Sequence, residues 1–197
     1  GMKWWLNTDI RVIGKIPSKN KVVIYAIKHQ SAWETVFCTD LFSMPSIVLK
    51  KALIFLPVIG LYFLRSGAIP ITRDQGINAL KKMGRNAKRA VKEKRSMMIF
   101  PQGTRVSPGV STKEKPYLPG VFFLYSQTKV SVVPVAHNAG LLWPKNSFIK
   151  YPSRLKSKSI TIKILPEIQP GLSKIEFLKK LETIIENSSN ELIKLES

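Results

Sequence analysis

A histidine and a carboxylate stand five positions apart in the segment Lys28 to Thr35, directly after an apolar stretch of the chain. Neutral imidazole can accept a proton near neutral pH, and a neighbouring carboxylate can hold the ring through its other nitrogen. If His29 lies in a strand-to-helix turn and Glu34 in the first helical turn, the two side chains can meet. They could then activate a bound hydroxyl group without a covalent intermediate. The spacing alone leaves a surface hydrogen bond open as the alternative.

Two further apolar segments end in an arginine. The segment Phe100–Arg105 contains Gln102, Gly103 and Thr104, so it offers an amide, a hydroxyl and a guanidinium in one turn. The segment Gly67–Arg73 ends in the same manner. A guanidinium group donates two parallel, charge-assisted hydrogen bonds and therefore suits phosphate. Two strand ends that direct arginine toward one rim of a sheet would form a ligand crevice. The alternative is a pair of ordinary turns with exposed arginines.

Strands and helices alternate in the pattern that would position these residues. Apolar, β-branched runs predict strands at Val22–Ile27, Ile69–Thr72, Met97–Phe100, Val130–Ala136 and Ile160–Leu165. Helical spacing of apolar residues predicts helices over 31–42, 75–94 and 175–195. In the first of these helices Ser31 and Glu34 are spaced as a capping box. The order predicts one α/β layered domain over residues 1–197, with a mixed, partly parallel sheet flanked by helices.

Residues 52–64 are apolar on every face, are interrupted by Pro57 and Gly60, and are bounded by lysines and an arginine. One interpretation is a pair of core helices with a bend. The other is an apolar, membrane-facing helical element whose flanking cations meet lipid phosphates. Trp4 and Trp5 are typical of a membrane-interface anchor. No run reaches the roughly 18 to 20 apolar residues of a spanning helix.

Composition narrows the partners and excludes several site types. The chain of 197 residues has 32 Lys and Arg against 12 Asp and Glu, a formal charge of +20 that favours anionic partners. On the helix over 75–94, basic residues cover the face opposite the apolar one, which indicates a solvated surface or a docking surface for an acidic carrier protein or lipid. One cysteine, Cys38, excludes an internal disulfide, and we expect it to be buried. With two histidines and no glycine-rich phosphate loop, we expect neither a bound metal nor a nucleotide cofactor.

In this order the motifs resemble the glycerophospholipid acyltransferase family, and within it the bacterial 1-acyl-glycerol-3-phosphate acyltransferases. The family's catalytic block, a histidine followed after four residues by an acid, is similar to Lys28–Thr35. Its later blocks are similar to Lys50–Gly60, Gly67–Arg73, Phe100–Arg105 and Val133–Val135. Two positions depart from the family pattern: Glu34 stands where Asp is usual, and Gln102 where Glu is usual. Glu34 keeps the charge with a longer reach, whereas Gln102 can hold a hydrogen bond but cannot act as a base.

The resemblance implies a reaction and a role for each matching residue. His29 would deprotonate the 2-hydroxyl of lysophosphatidic acid, oriented by Glu34, for attack on acyl-coenzyme A or an acyl carrier protein, giving phosphatidic acid. Arg105, Arg73 and Lys50 would hold the acceptor phosphate. Gln102, Gly103 and Thr104 would complete the substrate cradle. His137 matches no catalytic position, so we interpret it as structural.

The resemblance also implies a place for the protein, at an anionic membrane surface on the cytoplasmic face of a bacterial inner membrane. Three alternatives stay open at this point. One is a sister enzyme that acylates glycerol-3-phosphate or a lyso-aminolipid. The others are a lipid-binding relative without catalysis and a basic nucleic-acid-binding protein, although the chain has no recognisable nucleic-acid-binding motif and we expect no such partner.

Overall fold

A computed structural model describes residues 9–57, 59–72, 76–145 and 159–196 of the chain. Seven strands of these residues form one sheet in the order β1-β7-β6-β2-β5-β3-β4. The strands are β1 (Asp9–Ile13), β2 (Ile24–Ile27), β3 (Ser46–Lys50), β4 (Ile69–Ile71), β5 (Met97–Ile99), β6 (Val132–His137) and β7 (Ser159–Ile164). Neighbouring strands run parallel except β6 and β7, which are antiparallel. The predicted mixed, partly parallel sheet is therefore confirmed.

Helices cover both faces of the sheet. They are α1 (Trp33–Leu41), α2 (Ile59–Arg65), α3 (Gly76–Lys92), α4 (Gly120–Thr128), α5 (Ala139–Leu142) and α6 (Lys174–Lys194). One core cluster joins one face of the sheet to α1, α2 and α5, and a second joins the other face to α3, α4 and α6. Because strands β2, β5, β3 and β4 are parallel neighbours, the segments that follow them emerge at the same edge of the sheet.

The five strands and three helices that the sequence predicts are present, with ends shifted by one to two residues. Four elements were not predicted. Strand β1 is mostly exposed and carries charges, β3 follows two residues with positive φ, Ser43 and Met44, and helix α5 has only four residues. Helix α4 has its apolar residues in one consecutive run, Val121 to Tyr125, and therefore lacks the helical periodicity that predicts an amphipathic helix.

The predicted capping box at Ser31 is wrong. Helix α1 begins at Trp33 and its N-cap is Ala32, which makes no side-chain capping bond. The Ser31 hydroxyl accepts a hydrogen bond from Trp33 N instead, and donates to the carboxylate of Glu34. Glu34 is therefore directed back over the strand-to-helix turn. Cys38, on the same helix, is fully buried as predicted.

The apolar stretch after β3 forms a 3-10 helix, Lys51–Phe55, followed by α2. Only part of it is in the core: Phe63 is buried, whereas large apolar side chains on both helical pieces are exposed. These exposed side chains are Leu53, Phe55, Leu56, Leu61 and Leu64, which we call the apolar patch. In the described part of the chain, no helix has the length and apolar character to cross a bilayer.

Candidate active site

His29 and Glu34 form a hydrogen-bonded pair at the end of strand β2. Strand β2 ends at Ile27, and the short turn before α1 brings the Nδ1 atom of His29 to 2.8 Å from Oε1 of Glu34. The sequence spacing predicted this contact, and the structure places it in a half-buried setting rather than on an open surface. The side chain of His29 keeps 17% of its surface exposed, so it remains accessible to a ligand.

Glu34 is completely buried and is held as an ionised carboxylate. Its oxygens accept hydrogen bonds from the backbone N–H groups of Gln30 and Ser31 and from the Ser31 hydroxyl, at 2.8 to 3.1 Å. Burial raises the pKa of Glu34, but attraction to His137 and His29 and the hydrogen bonds from His29 and Ser31 outweigh it and lower the pKa to about 2. An ionised carboxylate can only accept, so Nδ1 of His29 carries the proton. Nε2 of the neutral ring is then the proton acceptor.

The His29 ring is also fixed from the side. It stacks on Phe100, the residue after strand β5, with ring centroids 3.9 Å apart and an interplanar angle of 18°. The backbone carbonyl of His29 accepts a hydrogen bond of 2.7 Å from Val106 N. Stacking and this backbone bond together join the histidine to the turn that begins at Phe100.

That turn brings the predicted phosphate-binding residues beside His29. Gly103, Thr104 and Arg105 line the same cavity as His29. Gly103 has φ +62° and its N–H donates to Phe100 O at 2.9 Å, so a residue that tolerates left-handed backbone is needed to close the turn. Lys50, at the end of strand β3, also lines this cavity. Of the two Arg-bearing turns predicted at one rim, the turn of Arg105 lies at this cavity. Arg73, at the end of the other segment, lies outside the described residues.

The placement of Gln102 does not fit direct substrate contact. Gln102 is buried, is not among the residues that line the cavity, and donates from Nε2 to the backbone oxygen of Lys115 at 2.7 Å. A carboxylate could not make this bond, since it has no donor. Glutamine at this position therefore closes the base of the 101–118 loop, and its role as part of the cradle is indirect.

His137 is buried behind the site. Its Nε2 donates to the backbone oxygen of Lys28 at 2.6 Å, and its Nδ1 accepts from Ala139 N at 3.2 Å. Burial lowers the pKa of His137, against the attraction of Glu34, so the ring is neutral near pH 7. Both ring nitrogens are occupied by backbone groups, which fits the structural role expected for this residue.

The cavity has a volume of about 560 Å³ and a lining that is polar in part and mostly apolar. The polar part includes His29, Lys50, Thr104 and Arg105. The remaining wall is mostly apolar and comes from five elements, through Ile47, Leu49, Phe63, Leu80, Met83, Ile99 and Val121. The shape suits a ligand with a charged head and a long apolar chain. Sequence reasoning missed this wall, because residues from β3, α2, α3, β5 and α4 meet only after the sheet and helices have packed.

The described residues offer no group of three His, Cys, Asp or Glu side chains placed to bind a metal ion. The chemistry that the arrangement can perform with its own side chains is proton transfer by His29, next to a turn that places the guanidinium of Arg105 at the same cavity.

Comparisons with a family model and with curated proteins agree on one family. The model of the Acyltransferase family matches residues 9–138. The chain is 35% identical to a 1-acyl-sn-glycerol-3-phosphate acyltransferase of Pseudomonas aeruginosa, over 148 residues that cover 75% of this chain and 56% of that protein. It is 29% identical to the protein of the same name from Saccharomyces cerevisiae, covering 73% of this chain and 48% of that one. The chain thus spans about half the length of the curated relatives it matches.

The fold also matches a solved structure. The crystal structure of the 1-acyl-sn-glycerophosphate acyltransferase from Thermotoga maritima superposes with a TM-score of 0.76 at 23% identity, covering 96% of this chain and 74% of that one. At this identity the likeness concerns the architecture. The family match includes the His29–Glu34 pair and the turn that carries Arg105, and on that basis the chain belongs to the acyltransferase family.

Proposed function

We propose that the protein transfers an acyl chain from a thioester, acyl-coenzyme A or acyl carrier protein, to the 2-hydroxyl of 1-acyl-glycerol-3-phosphate, forming phosphatidic acid. The observation that carries the proposal is the shared cavity of His29 and Arg105, in which His29 is already paired to an ionised Glu34. The acceptor's phosphate would bind Arg105 and Lys50, with Arg73 a further candidate. Its hydroxyl would then lie next to Nε2 of His29.

The chemistry follows from this arrangement. Nε2 of His29 takes the proton of the 2-hydroxyl while the oxygen attacks the thioester carbonyl. The tetrahedral adduct collapses, the carbon–sulfur bond breaks, and the departing thiolate takes the proton from the imidazolium. Glu34 stabilises the transient imidazolium and keeps Nδ1 protonated throughout. The apolar wall of the cavity would accommodate an acyl chain. The proposed transfer itself requires neither a metal ion nor a redox group.

The direct test is to incubate the purified protein in anionic mixed micelles with lysophosphatidic acid, glycerol-3-phosphate and lyso-aminolipids, each with both donor types. Mass spectrometry of the products should show phosphatidic acid from lysophosphatidic acid. A product from another acceptor only would reassign the substrate. Absence of any acylated product, from protein shown to be folded, would contradict the proposal.

Replacing Arg105 by alanine should weaken acceptor binding. A guanidinium–phosphate contact is charge-assisted and bidentate, so we expect kcat/KM for lysophosphatidic acid to fall roughly 100-fold, mostly through KM. The matched control is Arg11→Ala, which removes an exposed arginine from the edge strand β1 and should change neither constant. Initial rates over a range of acceptor concentrations give both constants. Equal KM values for Arg105→Ala and the unaltered protein would remove Arg105 from the phosphate site.

The apolar patch is the basis for proposing a membrane-facing side, at the cytoplasmic face of a bacterial inner membrane. Phe55, Leu61 and Leu64 expose 75%, 67% and 53% of their surfaces, with the exposed cations Lys51 and Arg65 beside them. Exposed apolar clusters bordered by cations are typical of surfaces that enter one leaflet. Leu53 of the patch also lines the cavity, which would let a lipid acceptor pass from the leaflet to His29.

The triple variant Phe55→Ser, Leu61→Ser, Leu64→Ser should lose membrane binding. Removing three large apolar groups should lower partition into phosphatidylglycerol vesicles at least about tenfold, measured by co-sedimentation. The control is Ile175→Ser with Leu195→Ser, at two positions 80% and 72% exposed at the ends of α6. Unchanged binding of the triple variant would place the membrane contact elsewhere.

A further inference from the structure

A partly buried network of Lys28, Glu186 and Tyr117 lies next to the candidate active site and includes none of the residues assigned to the reaction. Lys28 immediately precedes His29 and is only 3% exposed. Its Nζ donates to both carboxylate oxygens of Glu186, at 2.7 and 2.9 Å. The Tyr117 hydroxyl donates to Oε1 of the same carboxylate at 2.9 Å. Glu186 belongs to α6, which follows the segment matched by the family model.

Through Lys28, the carboxylate holds the strand end that bears His29. The backbone of Lys28 is bonded on both sides: its N–H donates to Val135 O at 3.0 Å, and its carbonyl accepts from the ring of His137. The ion pair adds the side chain to these constraints, so the residue before His29 is fixed at its N–H, its carbonyl and its ammonium. A displacement of α6 would therefore also displace Lys28, the residue before His29.

Through Tyr117, the same carboxylate holds the loop that bears Arg105. Tyr117 is buried near the end of the 101–118 loop. The base of this loop is closed by the bond from Leu118 N to Pro101 O, 2.8 Å long. Burial raises the pKa of Tyr117 well above its usual range, with the charge of Glu186 acting in the same direction. The phenol therefore remains a hydrogen-bond donor at any pH at which the protein would work.

We infer that Glu186 is a positioning residue: it sets the spacing between His29 and the Arg105 loop by joining Lys28 and Tyr117 on the face of the sheet that α6 covers. The inference rests on the proposed function for the meaning of that spacing, since a base and a phosphate-binding turn must fit one acceptor. Near-attack geometry is sensitive to displacements of about 1 Å, which can cost on the order of 100-fold in rate. A network that fixes both the strand end of His29 and the loop of Arg105 would supply such precision.

The test begins with Tyr117→Phe, which removes one hydroxyl and leaves the Lys28–Glu186 pair intact. We expect the loop to loosen, so KM for lysophosphatidic acid should rise roughly tenfold with little change in kcat. In an Arg105→Ala background the same change should have no further effect on KM, because Tyr117 acts through that loop. The control is Tyr125→Phe, which removes a buried phenol that bonds Gln169 O and Leu172 N and does not line the cavity.

A second variant addresses the carboxylate itself. Glu186→Gln keeps the shape but leaves the buried ammonium of Lys28 without a counter-charge, so both walls of the site should shift and kcat should fall about tenfold or more as well. Its control is Glu191→Gln, which removes the exposed partner of Lys163 from the same helix. If Glu186→Gln does not fold, the Tyr117→Phe series still decides the question.

Hydrogen exchange supplies a readout that needs no activity. Peptides covering 101–118 should exchange faster in Tyr117→Phe than in the unaltered protein, including the Val106 amide that bonds His29 O, whereas Tyr125→Phe should leave them unchanged. Unaltered exchange together with unaltered KM in Tyr117→Phe would overturn the inference. If the unaltered protein acylates no acceptor, the proposed function fails, and the exchange result alone decides whether Tyr117 holds the loop.

Discussion

The variant His29→Ala should lose nearly all acyl transfer while remaining folded. A positioned histidine base contributes about 10²- to 10⁴-fold in rate, and the described cavity holds no second imidazole that could replace it. Folding should survive because Glu34 keeps its hydrogen bonds from Gln30 N, Ser31 N and the Ser31 hydroxyl. The measurement is kcat with lysophosphatidic acid, alongside a thermal unfolding curve.

The matched control is His137→Gln, at the other histidine of the chain. His137 does not line the cavity but bonds the carbonyl of Lys28, next to His29, so its replacement should lower turnover much less than His29→Ala does and should also lower thermal stability. A His29→Ala protein that keeps more than about a tenth of the original kcat would contradict the role of general base. A loss of activity in His137→Gln equal to that of His29→Ala, with both proteins folded, would contradict it as well.

The variant Glu34→Gln should reduce kcat on the order of 100-fold or more. The amide keeps one oxygen for Nδ1 of His29, but it removes the negative charge that stabilises the imidazolium formed during proton transfer. Glu34→Asp restores the charge with a shorter reach, so its activity should lie between the two. The order of kcat values should therefore be the original protein, then Glu34→Asp, then Glu34→Gln. Equal kcat for the Gln and Asp variants would show that charge is irrelevant at this position.

The original protein and the Glu34→Gln variant should also differ in how their free energy of unfolding depends on pH. The pKa of Glu34 is lowered to about 2 in the folded state. Its ionisation therefore stabilises the fold above the unfolded pKa, near 4.5, and this contribution is lost as pH falls toward 2. From pH 6 to pH 3 the original protein should lose about 2 kcal/mol more unfolding free energy than Glu34→Gln, measured by urea titration. Parallel pH curves would contradict the lowered pKa.

Much of the site could be anticipated from local sequence, because its parts are short segments at strand ends. The five-residue spacing of His29 and Glu34 is bridged by one tight turn, so the contact needs only the strand before it and the helix after it. Lys50 is the last residue of strand β3 and Arg105 follows strand β5, and the sheet places these two strands in parallel. Parallel strands deliver their carboxyl ends to one edge, and side chains separated by about 70 residues can then share a cavity.

Other features could not be read from the chain. Ser31 and Glu34 have the spacing of a capping box, and Glu34 accepts from both Ser31 N and His29, but the Ser31 hydroxyl accepts from Trp33 N and the N-cap of the helix is Ala32. Gln102 stands between cavity-lining neighbours but points to Lys115 O. The sequence could not predict that Phe55 and Leu61 are exposed, because the stretch that contains them is apolar on every face. In each case the local sequence pattern was compatible with more than one environment for the side chain.

The amino-acid order by itself therefore determined the α/β architecture, the His29–Glu34 pair and the turn that carries Arg105, since these depend on periodicity and on contacts within a few residues. Packing determined the apolar wall of the cavity and the contact of Lys28 with Glu186, which lies 158 positions further along the chain. The reason is that burial removes solvent as a competing partner: once α6 covers the sheet, the ammonium of Lys28 must find a carboxylate. Which carboxylate it finds depends on the arrangement of the whole fold.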